Sequence, residues 1–182
     1  IISHDNHVHL LDMEIFDNHL VINQRKNGLR GIRIINQTSG EDEILNFGEN
    51  TYAAFFSTNK AFKTNILRYS YSSLVTPWST YDYNMDTGEK NLMKQDQILG
   101  GYKQKNYFSE RLYAKARDGK QIPISIVYNK KYKKDNPQNL LLYAYGSYGS
   151  TVDPYFNSAR LSLLDRGFIF AIAHVRGSPL YG

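Results

Sequence analysis

The stretch from Leu140 to Gly149 constrains the fold of this chain more than any other. Its first six residues, Leu140 to Tyr145, are apolar or aromatic without a break, which is typical of a strand buried on both faces within a parallel sheet. The strand then gives way to Gly146-Ser-Tyr-Gly149. Glycines at the carboxyl end of such a strand let the backbone turn and approach a ligand closely. Taken alone, this pattern predicts either a ligand-binding loop or an ordinary turn.

A second apolar run, Phe168–His174, follows this loop after a segment of helical character. Asp153 and Pro154 suit the N-cap and first position of a helix, and Gly167 suits its C-terminal end. A strand, a helix and a second strand in this order predict a crossover between two parallel strands. The second half of the chain is therefore expected to open an α/β sheet.

The first half of the chain differs, because short strand-like runs follow one another without helices. Asn27-Gly28 between two such runs is a strong signal for a tight hairpin. The strand groups recur at a spacing of roughly 45 residues, which is typical of four-stranded propeller blades. The predicted strands are Met13–Phe16, His19–Arg25, Leu29–Ile35, Tyr52–Ser57, Ile66–Ser72, Thr80–Met85 and Lys90–Lys94.

A linker is expected at Leu99-Gly-Gly-Tyr102, where two glycines interrupt the strand pattern. Beyond it, Tyr107–Ala116 and Gln121–Tyr128 form a predicted hairpin. Pro123 lacks a backbone donor, so it indicates an edge position or a bulge in that hairpin. We therefore divide the chain into an all-β part and an α/β part.

The predicted boundaries are residues 1–103 for the C-terminal blades of a β-propeller and residues 104–182 for the N-terminal part of an α/β-hydrolase domain. The chain begins at Ile1 and ends at Gly182, just after a Gly/Pro-rich turn. We therefore expect a fragment of a longer protein in which both parts are incomplete.

The composition excludes several classes of function. The chain has no cysteine, which excludes disulfides, thiolate metal sites and a cysteine nucleophile and fits a cytoplasmic protein. The net charge is +5, but the basic run Lys130–Lys134 precedes the loop residues Asp135-Asn-Pro137, and no nucleic-acid motif accompanies it. No apolar run is long enough to span a membrane. We expect neither a nucleic-acid partner nor a membrane partner.

Histidines cluster near the start of the chain at His4, His7 and His9. His7 and His9 share one face of a strand, as a pair of metal ligands requires, but no third ligand is spaced to complete a site. We therefore expect solvated histidines, no metal and no cofactor.

Six separated segments match, in order, a pattern found in one enzyme family: Leu67–Ser73, Asp86–Gly88, Ala116–Gly119, Tyr143–Gly149, Arg160–Phe168 and Ala173–Gly177. In these segments the chain resembles the serine peptidases of the prolyl oligopeptidase family, and most closely the oligopeptidase B group. The resemblance implies the last blades of a seven-bladed propeller followed by the start of an α/β-hydrolase domain. It also implies an endopeptidase that cleaves short peptides after Lys or Arg, with a propeller that keeps folded proteins out.

The resemblance assigns roles to three residues of this chain. Tyr145 matches the tyrosine whose hydroxyl donates to the oxyanion hole, although a phenol at a strand end also suits a core tyrosine bonded to a backbone carbonyl. Tyr148 matches an aromatic residue beside the substrate, and a surface aromatic covering the turn is the alternative. Asp153 matches an acidic residue near basic substrate side chains, and a helix cap is the alternative.

The nucleophile is not in this chain, because no Gly-x-Ser-x-Gly elbow occurs. Ser147 lies between glycines spaced too closely to form one. The triad Ser, Asp and His are expected beyond Gly182, and His174 precedes any nucleophile, so the family order excludes it as the triad base. The isolated chain is expected to be inactive.

Two departures from the family pattern are visible. Tyr155 stands where the family often has a second acidic residue, and Ser178-Pro179-Leu180 replaces a Gly-Gly-Glu run. Ser147 and Tyr148 nevertheless favour the oligopeptidase B group over prolyl oligopeptidase, which has Gly and Phe at those positions. The alternatives are a peptidase that cleaves after Pro and a non-catalytic binding protein derived from a propeller.

Overall fold

The structure, a computed structural model, describes residues 2–177. It contains two sheets and very little helix. Residues 178–182 include the predicted departure at Ser178-Pro179-Leu180, which lies outside the described residues.

The first sheet is built from two four-stranded antiparallel units. A single parallel pairing of Arg30 with Ala53 joins the units. The first unit contains β1 (Val8–Ile15), β2 (His19–Lys26), β3 (Leu29–Asn36) and β4 (Asp42–Ile44). The second contains β5 (Tyr52–Phe56), β6 (Ile66–Ser73), β7 (Ser79–Asn84) and β8 (Lys90–Gln95).

The hairpin predicted at Asn27-Gly28 is confirmed. β2 and β3 pair in full register up to Lys26 and Leu29, and both turn residues have positive φ, 52° for Asn27 and 78° for Gly28. This combination is the type I′ geometry that suits the twist of a hairpin. β4 is a short outer strand that the sequence pattern did not predict.

The second sheet has the strand order β11-β12-β10-β9. Its strands are β9 (Tyr107–Lys115), β10 (Gln121–Asn129), β11 (Leu140–Ala144) and β12 (Ile169–Ala173). β11 and β12 are parallel, as the predicted crossover requires, and the other pairs are antiparallel. The crossover carries one short helix, α1 (Leu161–Leu164), which follows a 3-10 turn at Ser158–Arg160.

Each sheet supports its own apolar core, and residues of the loop between β6 and β7 belong to the second one. Phe16, Val21, Ile32, Leu67 and Tyr69 lie at the centre of the first core. The second core contains Val127, Leu164, Phe170 and Ile172, together with Leu74 and Val75 from the loop between β6 and β7. Tyr102 stacks on Tyr107 and contacts Phe156 edge-on, so the linking segment is packed rather than free.

Three local predictions are wrong. The first concerns Leu140–Tyr145, which was expected to be buried on both faces. In the described part of the chain β11 is an edge strand that pairs with β12, and its residues are all exposed. The unbroken apolar run therefore predicted the strand correctly, but it did not predict that the strand is exposed in this chain.

The second wrong prediction is a helix that begins at Asp153-Pro154. The backbone stays irregular up to Asn157, whose side chain accepts a hydrogen bond from the Ala159 N–H and caps the 3-10 turn. Asp153 cannot act as the N-cap, because its carboxylate is bonded elsewhere. Gly167 does end the helical segment, with φ of 84° and a bond from its N–H to the Leu164 carbonyl.

The third wrong prediction is an edge position or bulge at Pro123, since β10 lies between β9 and β12. The Pro123 carbonyl accepts from the His174 N–H on the β12 side. The N–H and C=O of one strand residue point the same way, so the missing donor also faces that side. The paired residues of β10 and β12 begin at Ile124. Pro123, which has no N–H donor, therefore lies just beyond the end of that pairing.

Candidate functional site

Tyr145 is the first residue after β11, at the carboxyl end of the parallel pair. The residue is 43% exposed in the described chain, so it is not enclosed in the core. Carboxyl ends of parallel strands meet at one edge of a sheet, and this is the edge at which α/β folds bind ligands. The structure therefore leaves the predicted oxyanion donor accessible at the appropriate edge.

Gly146 fixes the direction in which the chain leaves β11. A Cβ atom at this position would lie 2.7 Å from the Arg176 carbonyl oxygen and 2.9 Å from a Val175 methyl group. Both distances are shorter than real contacts allow, so no side chain fits here without a shift of the backbone. The loop after β11 thus packs backbone to backbone against the loop after β12, which holds Tyr145 in a defined place.

Tyr148 occupies a strained turn. The Ser150 N–H donates to the Ser147 carbonyl over 3.0 Å, and the two central residues both have positive φ, 55° for Tyr148 and 69° for Gly149. Left-handed backbone is costly for a bulky residue. Tyr148 is also 96% exposed. The turn therefore projects an aromatic ring into solvent on a backbone that would favour glycine.

Asp153 faces the first sheet rather than solvent. Arg25 on β2 donates to both carboxylate oxygens, over 2.6 Å and 3.2 Å, and the two side chains are 5% and 12% exposed. The same carboxylate also acts on Arg30, where burial lowers the pKa of the guanidinium and Asp153 opposes that change. The predicted substrate-binding carboxylate is thus engaged by the protein's own arginine.

Tyr155, in place of a second acid, belongs to an aromatic group at the same seam. Its ring stacks on Trp78 with centroids 6.0 Å apart, and the Arg160 guanidinium lies 5.6 Å from its centroid. Nearby, the Phe156 N–H donates to the Ser72 hydroxyl over 2.9 Å. The segment after Asp153 is therefore a packed contact between the two sheets.

Of the three predicted site residues, Tyr145 and Tyr148 are brought together on one accessible loop, whereas Asp153 lies at the buried seam. Within residues 2–177, no three His, Asp or Glu side chains form a group that could hold a metal ion. Sequence reasoning missed Arg25 and Arg111, which bridge the sheets through Asp153 and the Asn27 carbonyl. No local sequence pattern predicts these contacts, because the residues that form them are distant in sequence.

Comparison with known proteins supplies the family. Residues 1–96 match the family model described as the prolyl oligopeptidase N-terminal β-propeller domain. The chain belongs to the prolyl oligopeptidase family. The family predicted from the sequence is thereby confirmed, and the two four-stranded units of the first sheet are propeller structure.

Curated relatives in the prolyl oligopeptidase family are peptidases. The chain is 41% identical over 182 residues to dipeptidyl aminopeptidase BI of Pseudoxanthomonas mexicana and 34% identical over 182 residues to protease 2 of Moraxella lacunata. Each alignment covers 100% of the chain but only 25% and 26% of the relative. The chain thus spans about a quarter of the length of these relatives.

Solved structures of the family have the same fold over the whole chain. Oligopeptidase B from Trypanosoma brucei with covalently bound antipain matches with a TM-score of 0.89 and 36% identity. Oligopeptidase B from Leishmania major matches with a TM-score of 0.88 and 31% identity. Both matches cover 100% of the chain and 27% and 26% of the larger structures.

His174 is buried at the end of β12, where its Nε2 lies 2.8 Å from the Ser125 hydroxyl. Burial, reinforced by the charges of Arg111 and Arg25, lowers the pKa of His174 to about 3. The imidazole is therefore neutral near neutral pH. His174 is thus a packed, buried group of the second sheet.

Across residues 2–177, no helix is long and apolar enough to cross a membrane.

Proposed function

We propose that this chain is part of a serine endopeptidase of the oligopeptidase B type, which cleaves short peptides after Lys or Arg. The observation that carries the proposal is the accessible Tyr145 ring at the carboxyl end of β11 in a chain of the prolyl oligopeptidase family. The proposed organisation is propeller blades in residues 1–103 and the first part of an α/β-hydrolase domain in residues 104–182. The parallel pair β11–β12 supports the second assignment.

In this proposal Tyr145 donates its hydroxyl to the negative charge that develops on the scissile carbonyl oxygen. A donor fixed at the end of a strand requires little reorganisation during the reaction, which is the condition for strong transition-state stabilisation. Gly146 supports this role because its close approach to Arg176 fixes the exit of the chain from β11. The nucleophile, base and orienting acid come from sequence beyond Gly182.

Tyr148 and Asp153 are proposed to contact the substrate. The exposed Tyr148 ring offers an apolar surface to a peptide side chain. Asp153 offers a carboxylate to a basic side chain, but a substrate guanidinium would have to displace or share the one that Arg25 already provides. We therefore expect Asp153 to contribute only weakly to the recognition of basic substrate residues in the arrangement described here.

Full-length protein containing this chain tests the proposal with blocked peptide reporters. We expect cleavage after Arg or Lys and inactivation by a serine-directed phosphonate. Efficient cleavage after Pro but not after Arg would indicate the prolyl-specific alternative. Absence of both cleavage and phosphonate labelling would support a non-catalytic binding protein.

A second candidate function is release of dipeptides from the N-terminus of peptides. The relative from Pseudoxanthomonas mexicana, 41% identical to this chain, is named a dipeptidyl aminopeptidase. Matched reporters with a free and a blocked N-terminus separate the two activities. An endopeptidase accepts the blocked reporter, whereas an aminopeptidase requires the free amine.

A further inference from the structure

A cleft of about 250 Å³ lies where the β2–β3 hairpin meets β9. It is apart from Tyr145 and Tyr148, which are not among its lining residues. Its polar lining includes Gln24 and Lys26 on β2, Asn27 in the hairpin turn and Arg111 on β9. The cleft therefore combines groups from both sheets.

The charge of this cleft is unbalanced. Lys26 and Arg111 both line it, and no Asp or Glu is among its described lining residues. Arg111 uses Nη2 to bond the Asn27 carbonyl, but its Nε and Nη1 are buried without a hydrogen-bond partner in residues 2–177. Buried guanidinium donors without an acceptor are unfavourable, and an anionic oxygen is the acceptor that stabilises them best.

Gln24 is a second buried polar residue of the cleft without a full set of partners. Its residue is 3% exposed, it lines the cleft, and its Oε1 has no hydrogen-bond partner among the described residues. Buried amides in native proteins are almost always hydrogen-bonded.

The walls of the cleft are apolar or aromatic. Leu29, Ile44, Tyr52 and Tyr113 line it, and Ile44 and Tyr113 are more than half exposed. Burial raises the pKa of Tyr52, with Arg111 opposing that change, so Tyr52 remains a neutral hydrogen-bond donor beside the guanidinium. A cleft with apolar walls and two positively charged side chains suits a ligand that has an anionic group and an apolar body.

We propose that this cleft binds a carboxylate carried on an apolar or aromatic group, of the kind found at the free C-terminus of a peptide. The positive charges of Arg111 and Lys26 attract the carboxylate, and Tyr52 and Tyr113 contact the apolar body. The proposal does not depend on peptidase activity, because it concerns binding at a separate cleft.

The test is calorimetric titration of the full-length protein with N-acetylphenylalanine, its uncharged amide and inorganic phosphate, in a buffer without other oxyanions. We expect the acid to bind and the amide to fail. Lys26→Met and Arg111→Met should each weaken binding of the acid by about tenfold or more, because each removes a charged contact. Lys115→Met removes a cation from the same strand outside the cleft, and it should leave binding unchanged.

Lys26 is exposed, so its substitution tests the site without endangering the fold. Equal binding of acid and amide, or unchanged binding of the acid by both cleft variants, would overturn the proposal. Binding of phosphate without binding of the acid would overturn the assigned ligand class. Binding of the acid more tightly than phosphate supports the contribution of the apolar walls.

Discussion

The Arg25 guanidinium holds both oxygens of the Asp153 carboxylate, with N–O distances of 2.6 Å and 3.2 Å. The residues are 128 positions apart, and they join a propeller strand to the loop that follows β11. Both side chains are largely buried, so the pair links the two sheets through a desolvated contact. It also places a protein guanidinium where a basic substrate side chain is proposed to bind.

The first prediction concerns the stability of this contact. Arg25→Met should lower the free energy of unfolding by about 3 kcal/mol or more, because it leaves a buried carboxylate without its partner. The double variant Arg25→Met/Asp153→Leu should recover most of that loss, since neither charge remains buried. Urea melts of the full-length proteins measure both values. Equal stability of the single variant and the parent would mean that the pair contributes nothing.

The same residues predict a change in specificity. If Arg25 competes with substrate for Asp153, Arg25→Lys should lower KM for a reporter with two adjacent arginines, because the lysine forms only one of the two bonds. KM for a reporter with a single arginine at the cleavage site should change less. Asp153→Asn serves as the matched control, because it should raise KM for the double-arginine reporter.

Tyr145 supports a prediction about the rate of the reaction. Tyr145→Phe should lower kcat by tens to hundreds of fold and alter KM less, because the lost donor acts chiefly in the transition state. Tyr143→Phe is the matched control, since Tyr143 is also exposed on β11. Equal kcat values for the two variants would exclude the oxyanion role of Tyr145.

Two substitutions of Tyr148 can separate the cost of its strained backbone from its proposed contact with the substrate. Tyr148→Gly should raise stability by up to about 1 kcal/mol, because glycine adopts positive φ without a Cβ clash. Tyr148→Ala removes the ring but keeps the strained backbone, so it should bring no such gain. Both variants should raise KM if the ring contacts substrate. Thermal melts and peptide kinetics on the same preparations give the two readouts.

The sequence predicted the elements well because their causes are local. Asn27-Gly28 requires its turn type, and the apolar run from Leu140 requires a strand, whatever surrounds them. The sequence also predicted that Tyr145 ends a strand beside a glycine loop. Gly146 explains why that loop needs a glycine, although the contact with Arg176 itself is visible only in three dimensions.

The errors and omissions share one physical cause, which is that distant partners decide them. Because Pro154 follows it, Asp153 was predicted to be a helix cap, but its carboxylate instead accepts hydrogen bonds from Arg25. Arg111 carries no local signal, although its guanidinium meets the β2–β3 hairpin at the Asn27 carbonyl. Long-range ion pairs and the surroundings of an edge strand are properties of tertiary packing, which periodicity does not encode.

His174 yields a prediction about acid sensitivity. Burial, aided by Arg111 and Arg25, lowers its pKa in the folded protein to about 3, against an ordinary value of 6.5. Between these two values the unfolded chain binds a proton that the folded chain does not. Stability therefore falls as pH drops below about 6.5, at up to about 1.4 kcal/mol per pH unit for this single group, and the loss levels off near pH 3.

The variant His174→Gln isolates this contribution from that of the carboxylates. Its amide can still bond the Ser125 hydroxyl but does not titrate, so the stability difference between the parent and the variant should shrink steadily as pH falls from 6.5 to 4.5. Calorimetric melts of both proteins at matched pH values measure that difference. A constant difference across this range would show that the imidazole is protonated as readily in the folded chain as in the unfolded one.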